Sequence, residues 1–171
     1  MKRMRVVILG CAALALAGCA TQVIRKDAAE VVDLSGRWND TDARLVAEEM
    51  VRTCTAAQWV ARFNKQKGRD PVVIVGTVTN RSHEHINANV FIEDLEMALV
   101  NSGRVRFVAS KTGADFMLQG SINSVKDETR GQYAIMFQSN LELIDLTTNE
   151  KVWIGQKKVK KRVKRPQYSL P

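Results

Sequence analysis

Residues 71–86 read PVVIVGTVTNRSHEHI and contain a proline, a continuous apolar run and a polar loop. Pro71 blocks helix formation, and residues 72–75 form the β-branched run that is typical of a strand covered on both faces. The polar residues 79–87 follow as a loop that leads into an apolar stripe at helical spacing. A strand, a loop, a helix and a second strand make a βαβ unit, which this segment opens.

The sequence downstream of residue 87 predicts one helix and four more strands. The helix ends at Gly103, a residue type that favours helix ends. Its apolar stripe consists of Phe91, Ile92, Leu95, Ala98 and Leu99. Strand patterns follow at residues 105–109, 114–125, 133–143 and from residue 152 onward. The last two strands are expected to be joined by a hairpin connection at residues 147–150.

Two helices are predicted upstream of residue 71. Asn39, Asp40 and Thr41 are candidate N-caps of the first helix, and Asp42 lies in its first turn, where a carboxylate is favourable. The apolar stripe of this helix consists of Ala43, Val46, Ala47, Met50, Val51 and Cys54. The second helix contains the apolar residues of segment 59–63 and ends at Gly68.

These elements indicate an α/β fold, a single sandwich domain with a mixed sheet of about five strands flanked by helices. A chain of 171 residues has the size of one domain. We assign residues 35–165 to this domain and residues 166–171 to a C-terminal tail. Cys54 lies on the first helical stripe, so we expect a buried, unreactive thiol there.

Residues 1–18 are predicted to be a lipoprotein signal peptide. Lys2, Arg3 and Arg5 precede an apolar run over residues 6–17, which is shorter than the roughly 20 residues that span a bilayer. The run ends in Leu-Ala-Gly-Cys at residues 16–19, which resembles the bacterial lipobox. We expect cleavage between Gly18 and Cys19 and lipidation of Cys19, and an ordinary secretory signal that contains a cysteine is the alternative.

The predicted anchor also sets the expected location and redox state of the chain. Ala20 follows Cys19, and it is not the aspartate that retains lipoproteins in the inner membrane of enteric bacteria. We therefore expect an outer-membrane lipoprotein that is held to the membrane by its lipid and faces the periplasm, with residues 19–34 as a lipidated tether. Loss of Cys11 with the signal peptide and lipidation of Cys19 leave Cys54 without a disulfide partner.

Positive charge is concentrated near the end of the predicted domain. The formal net charge is +8, and seven of the 26 lysine and arginine residues fall between residues 157 and 165. These candidate partner-binding residues are Lys157, Lys158, Lys160, Lys161, Arg162, Lys164 and Arg165. Two roles are open: contact with an acidic partner, or a solvated edge strand whose lysines discourage sheet-to-sheet pairing. Nucleic acid is excluded as a partner, because the predicted export places the domain outside the cytoplasm and no nucleic-acid-binding motif supports it.

The sequence carries no recognisable pattern for catalysis or metal binding. The only histidines, His83 and His85, flank Glu84 in a loop, but the spacing signals no third ligand for a zinc ion. Asp94 and Glu96 are expected to lie on the wet face of a helix rather than to act as an acid/base pair. Nucleophile-elbow and glycine-rich phosphate-loop motifs are missing. We therefore predict no catalytic residue, no metal, no cofactor and a function other than that of an enzyme.

Five segments of the sequence resemble the LpoB family, outer-membrane lipoproteins that activate penicillin-binding proteins. They are DLSGRWNDTDARLVAEEM (33–50), PVVIVGTVTNRSHEHI (71–86), VNSGRVRFVAS (100–110), TGADFMLQGSINS (112–124) and TNEKVWIGQKKVKK (148–161). The resemblance implies a lipid anchor, a tether and a small domain similar in fold to the N-terminal domain of TolB. It also implies that the domain docks onto a class A penicillin-binding protein, a bifunctional peptidoglycan synthase, and stimulates glycan polymerisation and peptide cross-linking.

One departure from the family affects the expected sheet. Family members of this type usually place a long charged helix between the segments that end in VAS and begin with TGADF, whereas here only Lys111 separates them. A helical crossover can join parallel strands, so we expect that a link this short turns the chain back. Either the sheet is rearranged locally, or one helix is missing from a sheet face.

Three classes of function follow from these observations. The first is an interaction module that docks onto and activates a peptidoglycan synthase, which needs a surface patch and no catalytic group. The second is a structural assembly lipoprotein similar to the CsgG-type secretion lipoproteins, without synthase activation. The third is an enzyme with an unrecognised site, for which no residue pattern provides support. A pull-down of envelope proteins on the lipid-free domain separates the first two, since one predicts recovery of a synthase and the other a self-assembled ring.

Overall fold

The computed structural model describes residue 27, residues 35–129 and residues 132–164. The predicted signal peptide (1–18), the tail (166–171) and, apart from Asp27, the tether (19–34) lie outside the described residues, as do Gly18, Cys19 and Arg165.

Three helices and five strands occur among the described residues. In chain order they are α1 (Asp40–Ala56), α2 (Gln58–Lys67), β1 (Val72–Arg81), α3 (Ala88–Ser102), β2 (Arg106–Phe107), β3 (Phe116–Thr129), β4 (Gln132–Asp145) and β5 (Lys151–Lys164). The strands form one sheet in the order β2-β1-β3-β4-β5. β1 is parallel to both of its neighbours, and the β3–β4 and β4–β5 pairs are antiparallel. The predicted α/β fold with a mixed five-stranded sheet is confirmed.

The helix ends follow the capping residues that the sequence indicated. Asn39 caps α1, because its side chain accepts a hydrogen bond from the Asp42 N–H while the Asp42 carboxylate accepts one from the Asn39 N–H, each at 3.0 Å. Helices α2 and α3 end at Gly68 and Gly103, whose φ angles of 66° and 62° lie in the left-handed region. Glycine adopts this conformation without a steric cost, which explains why both helices stop there.

All three helices pack on the same face of the sheet, which we call the inner face. α1 contacts β4 and β5, α3 contacts β1 and β2, and the rings of Trp59 and Phe63 from α2 contact that of Phe116 at the start of β3. The inner-face residues of the central strands are buried, among them Val73, Leu118, Ile122, Ile135, Phe137, Leu141 and Leu143. The opposite, outer face is open along much of its length, since Val125 and Ile154 are 60% and 67% exposed. The alternation of β4 therefore places its apolar row in the core, as the sequence predicted.

The link between β2 and β3 corrects one expectation. Residues 108–115 join two strands that are both parallel to β1, so the short link does not turn the chain back. The physical reason is the length of β2, which has only two residues. Val73 of β1 is the partner of both Phe107 in β2 and Phe116 in β3. The end of β2 and the start of β3 are therefore at the same level of the sheet, on opposite sides of β1. The chain moves sideways past the beginning of β1 instead, and a crossover helix is not needed.

Candidate functional site

β5 is the last strand of the sheet and pairs with β4 on one side only. Because side chains alternate along a strand, its cations are divided between the two faces. Lys158, Lys160, Arg162 and Lys164 lie on the outer face, and we call these four residues the basic row. All four are exposed, and alternate residues are about 7 Å apart, so the row is about 20 Å long.

The basic row has no acidic neighbour across the sheet. Its partners on β4 are Gln138, Met136, Ala134 and Gln132, in that order. Among the described residues, no carboxylate forms an ion pair with any member of the row, and Arg162 donates to the Gln132 side-chain oxygen at 3.1 Å. Four cations without neutralising carboxylates create a positive surface that attracts anionic groups of another molecule.

Lys161 lies on the inner face of β5 and is therefore not part of the basic row. Its side chain is only 8% exposed, and its ammonium group pairs with the Asp42 carboxylate and donates to the Arg37 carbonyl oxygen at 2.8 Å. Since Asp42 is also the carboxylate of the α1 capping box, Lys161 joins the start of α1 to β5. Lys157 also lies on the inner face, half-buried opposite Ser139. The remaining candidate, Arg165, lies outside the described residues.

The start of β5 carries balanced charge instead. The Lys151 ammonium group lies 2.6 Å from a Glu142 carboxylate oxygen, and the Gln119 side chain donates to the other oxygen at 3.0 Å. The hydrogen bond from Lys151, followed by that from Gln119, lowers the pKa of Glu142 below its ordinary value, so the carboxylate stays charged. The start of β5 therefore adds no net charge to the basic row.

The loop after β1 uses its polar residues for internal contacts. The His83 N–H donates to the Ser124 hydroxyl at 2.9 Å, and His83 Nδ1 lies 3.0 Å from the same oxygen. A carboxylate oxygen of Glu84 accepts a hydrogen bond from the Trp38 N–H at 3.1 Å. In the part of the chain that the structure describes, no three histidine, cysteine, aspartate or glutamate side chains are grouped to hold a metal ion. These contacts attach the loop to β3 and to the residues before α1.

A groove lies between α1 and α3. It has a volume of about 550 Å³, and its lining includes Arg44, Glu48, Asp94, Met97 and Arg104. Partial burial raises the pKa of Asp94 above its ordinary value, an effect that Arg44 opposes and neighbouring acidic side chains reinforce. The lining carries charges of both signs, and Arg44 already pairs with Glu48 at 3.1 Å. Sequence reasoning missed this groove, because the width between two helices is set by packing and has no local sequence signal.

None of the helices in the described parts of the chain has the length and apolar character that crossing a bilayer requires.

A family model described as peptidoglycan-synthase activator LpoB matches residues 42–112 and 108–159. These segments include more than half of the chain, so the chain belongs to the LpoB family. They meet at residues 108–112, within the short link between β2 and β3. The family resemblance seen in the sequence is therefore confirmed. No curated protein matches the chain.

Several solved structures are similar to this chain. The LpoB C-terminal domain from Escherichia coli is 21% identical, covers 69% of this chain and 98% of its own, and has a TM-score of 0.43. The corresponding domain from Salmonella enterica is 23% identical, covers 58% of this chain and 91% of its own, and has a TM-score of 0.38. The PelC dodecamer from Paraburkholderia phytofirmans is 18% identical, covers 54% of this chain and 72% of its own, and has a TM-score of 0.41. Family membership rests on the family model rather than on these likenesses.

Proposed function

We propose that this chain is a periplasm-facing outer-membrane lipoprotein that docks onto a class A penicillin-binding protein and activates it in peptidoglycan synthesis. Membership of a family of peptidoglycan-synthase activators supports the general role. The observation that carries the docking proposal is the basic row, four exposed cations on a terminal strand that no described carboxylate neutralises. A docking surface of this kind acts on another protein by binding, and it needs no catalytic group of its own.

The proposal assigns a separate role to each part of the chain. Residues 1–18 direct export and are removed before Cys19, which carries the lipid. Residues 19–34 connect the lipid to the domain of residues 35–165, and residues 166–171 form the tail. The membrane is thus a partner through the lipid alone, and the synthase is the partner of the folded domain. No nucleic acid, metal or cofactor has a part in this function.

The central experiment measures the activity of a purified class A penicillin-binding protein with and without this chain, used full-length in detergent. Glycan polymerisation and peptide cross-linking are followed in the same reaction. The proposal expects both rates to rise in proportion to the amount of complex formed. Binding without a change in either rate would contradict activation. Assembly of the chain into a closed ring that leaves the synthase rates unchanged would support the alternative, a CsgG-like structural lipoprotein.

The anchor gives a separate prediction. Cys19→Ala should remove the protein from the outer-membrane fraction, because the acyl chains are attached through that thiol. Cys54→Ala is the matched control, since it also removes a thiol but one that is buried in α1, and this variant should stay with the membranes. Density-gradient fractionation of cell envelopes gives the answer. Continued sedimentation of the Cys19→Ala protein with outer-membrane vesicles would show that the anchor is elsewhere.

A further inference from the structure

β5 is a long strand at the edge of the sheet. β5 has 14 residues and pairs with β4 over nearly all of them. In an antiparallel pair, every second residue directs its N–H and C=O away from the neighbouring strand. Within the described residues, no backbone group outside β4 hydrogen-bonds to the backbone of residues 152–160. A row of backbone donors and acceptors is therefore available to a further strand.

The side chains beside this edge determine which strand could pair with it. The basic row lies on the outer face, and the inner-face row of the same strand includes Trp153, Val159 and Val163, each half-buried. A second copy of β5 that paired along the basic row would bring cations opposite cations, which is destabilising. A strand with acidic side chains on one face and apolar side chains on the other would pair carboxylates with the basic row and extend the covered inner face.

We propose that β5 binds its partner by strand addition, and that the added strand is an extended segment in which acidic and apolar residues alternate. This inference rests on the proposed function in one respect, since it takes β5 to be the docking surface for the synthase. Strand addition differs from a purely electrostatic contact because it requires backbone hydrogen bonds along the edge of β5. It also accounts for both the length and the charge of β5, because the lysines exclude like-charged edges and admit an acidic one.

The test uses the full-length chain and a synthetic peptide of about nine residues in which Glu and Val alternate, a length that matches the edge at residues 152–160. Two further versions carry backbone N-methyl groups, one on the Glu residues and one on the Val residues. Only one of these sets faces β5 in a strand pair, so one version should bind at least about tenfold more weakly and the other should bind like the parent peptide. Hydrogen exchange of the β5 amides should slow at alternate positions when the parent peptide is bound.

The controls separate strand addition from attraction between charges. A peptide of the same composition in which the Glu residues precede the Val residues should bind more weakly than the alternating peptide. Equal binding of the two N-methylated versions, equal binding of the reordered peptide, or no binding of the alternating peptide would each overturn the inference. Activation of the synthase is measured without these peptides. Failure of the strand-addition inference and failure of the proposed function can therefore be told apart.

Discussion

Two serines on neighbouring strands, Ser124 and Ser139, face the inner side of the sheet with different surroundings. Ser124 is 7% exposed, and its hydroxyl oxygen contacts both the N–H and Nδ1 of His83. Ser139 is 1% exposed, and among the described residues its hydroxyl has no hydrogen-bond partner. A buried hydroxyl that lost its bonds to water without replacing them lowers the stability of the folded state.

This contrast predicts opposite effects for the same substitution. Ser139→Ala should raise the free energy of unfolding by about 1 kcal/mol, because it removes the unsatisfied hydroxyl and leaves the apolar contacts in place. Ser124→Ala should lower it by about 1 kcal/mol, because the His83 N–H loses its acceptor. Urea unfolding of both variants beside the parent chain measures the two effects. A loss of stability in Ser139→Ala would show that its hydroxyl is bonded in solution.

Lys161 shows how much the sequence could have revealed about a single residue. Alternation places Lys157, Val159, Lys161 and Val163 on one face of β5, and the valines mark that face as the covered one. The run of seven cations nevertheless favours a single solvated surface, because a run of charge is normally solvated. The contact of Lys161 with Asp42 could not be predicted, since it depends on where α1 crosses β5, a position that tertiary packing determines.

At the scale of elements, Asp115 fixes the point where β3 begins. Its carboxylate forms two hydrogen bonds of 2.7 Å with the Arg69 guanidinium group and accepts a third from the Val72 N–H at 2.8 Å. The Asp115 N–H in turn donates to the Val72 carbonyl at 2.8 Å. The hydrogen bonds from Arg69 contribute most to lowering the pKa of Asp115 below its ordinary value of 3.8. One side chain thus joins the end of the β2–β3 link to the start of β1.

The lowered pKa gives a pH-dependent prediction. A carboxyl group whose pKa is depressed in the folded state stabilises that state above its ordinary pKa, and the contribution is lost as the pH falls through the folded pKa. Asp115→Asn should therefore be less stable than the parent at pH 7, and the difference should shrink as the pH falls below 3.8. Asp127→Asn, the same carboxyl-to-amide change at an exposed position of the same strand, is the matched control. Chemical unfolding across a pH series tests this, and a difference that persists in acid would exclude the charged contacts as its cause.

The register of β4 gives a second prediction at this scale. Phe137 is completely buried, and its ring contacts that of Trp38 with 5.5 Å between centroids. Phe137→Ala should lower the free energy of unfolding by about 3–5 kcal/mol, the range expected when a buried aromatic side chain is removed. Met136→Ala changes the neighbouring residue on the outer face and should cost less than about 1 kcal/mol. If the two variants lost similar stability in urea titrations, the register of β4 would be displaced by one residue.

The elements that the sequence predicted correctly have local signals. The direction of β3, which it did not predict, depends on residues that are distant in the chain. Alternation located β3, β4 and β5, and terminal glycines located the ends of α2 and α3. The direction of β3 relative to β1 was predicted wrongly, because the short link excludes a helical crossover but not a sideways step. That step is possible only because β2 is two residues long, and the length of a short edge strand is determined by its partner rather than by its own composition.

At the scale of the whole described domain, apolar cover and free charge are on opposite sides of the sheet. The helices and their apolar stripes occupy the inner face, and the basic row occupies the end of the outer face. The residues of β4 that pair with the basic row carry no charge. The positive charge of the row therefore lies along β5 and does not continue onto β4. A partner that approaches this edge meets cations and backbone groups together, which favours a contact that is both attractive at long range and specific in geometry.

The last prediction concerns the salt dependence of that contact. Replacing Lys158, Lys160, Arg162 and Lys164 by Gln should weaken binding to an immobilised class A penicillin-binding protein by about tenfold at low salt, since four exposed charge contacts of a few tenths of a kcal/mol each sum to that factor. The loss should nearly vanish at 1 M salt, where the screening length falls to about 3 Å.

The matched control changes the exposed residues Arg62, Lys65, Lys67 and Lys111 to Gln, which removes the same total charge away from β5. Interferometry at two ionic strengths compares the variants. An equal loss in both would show that only net charge matters, and unchanged affinity in the β5 variant would leave the basic row as a protected edge without a docking role.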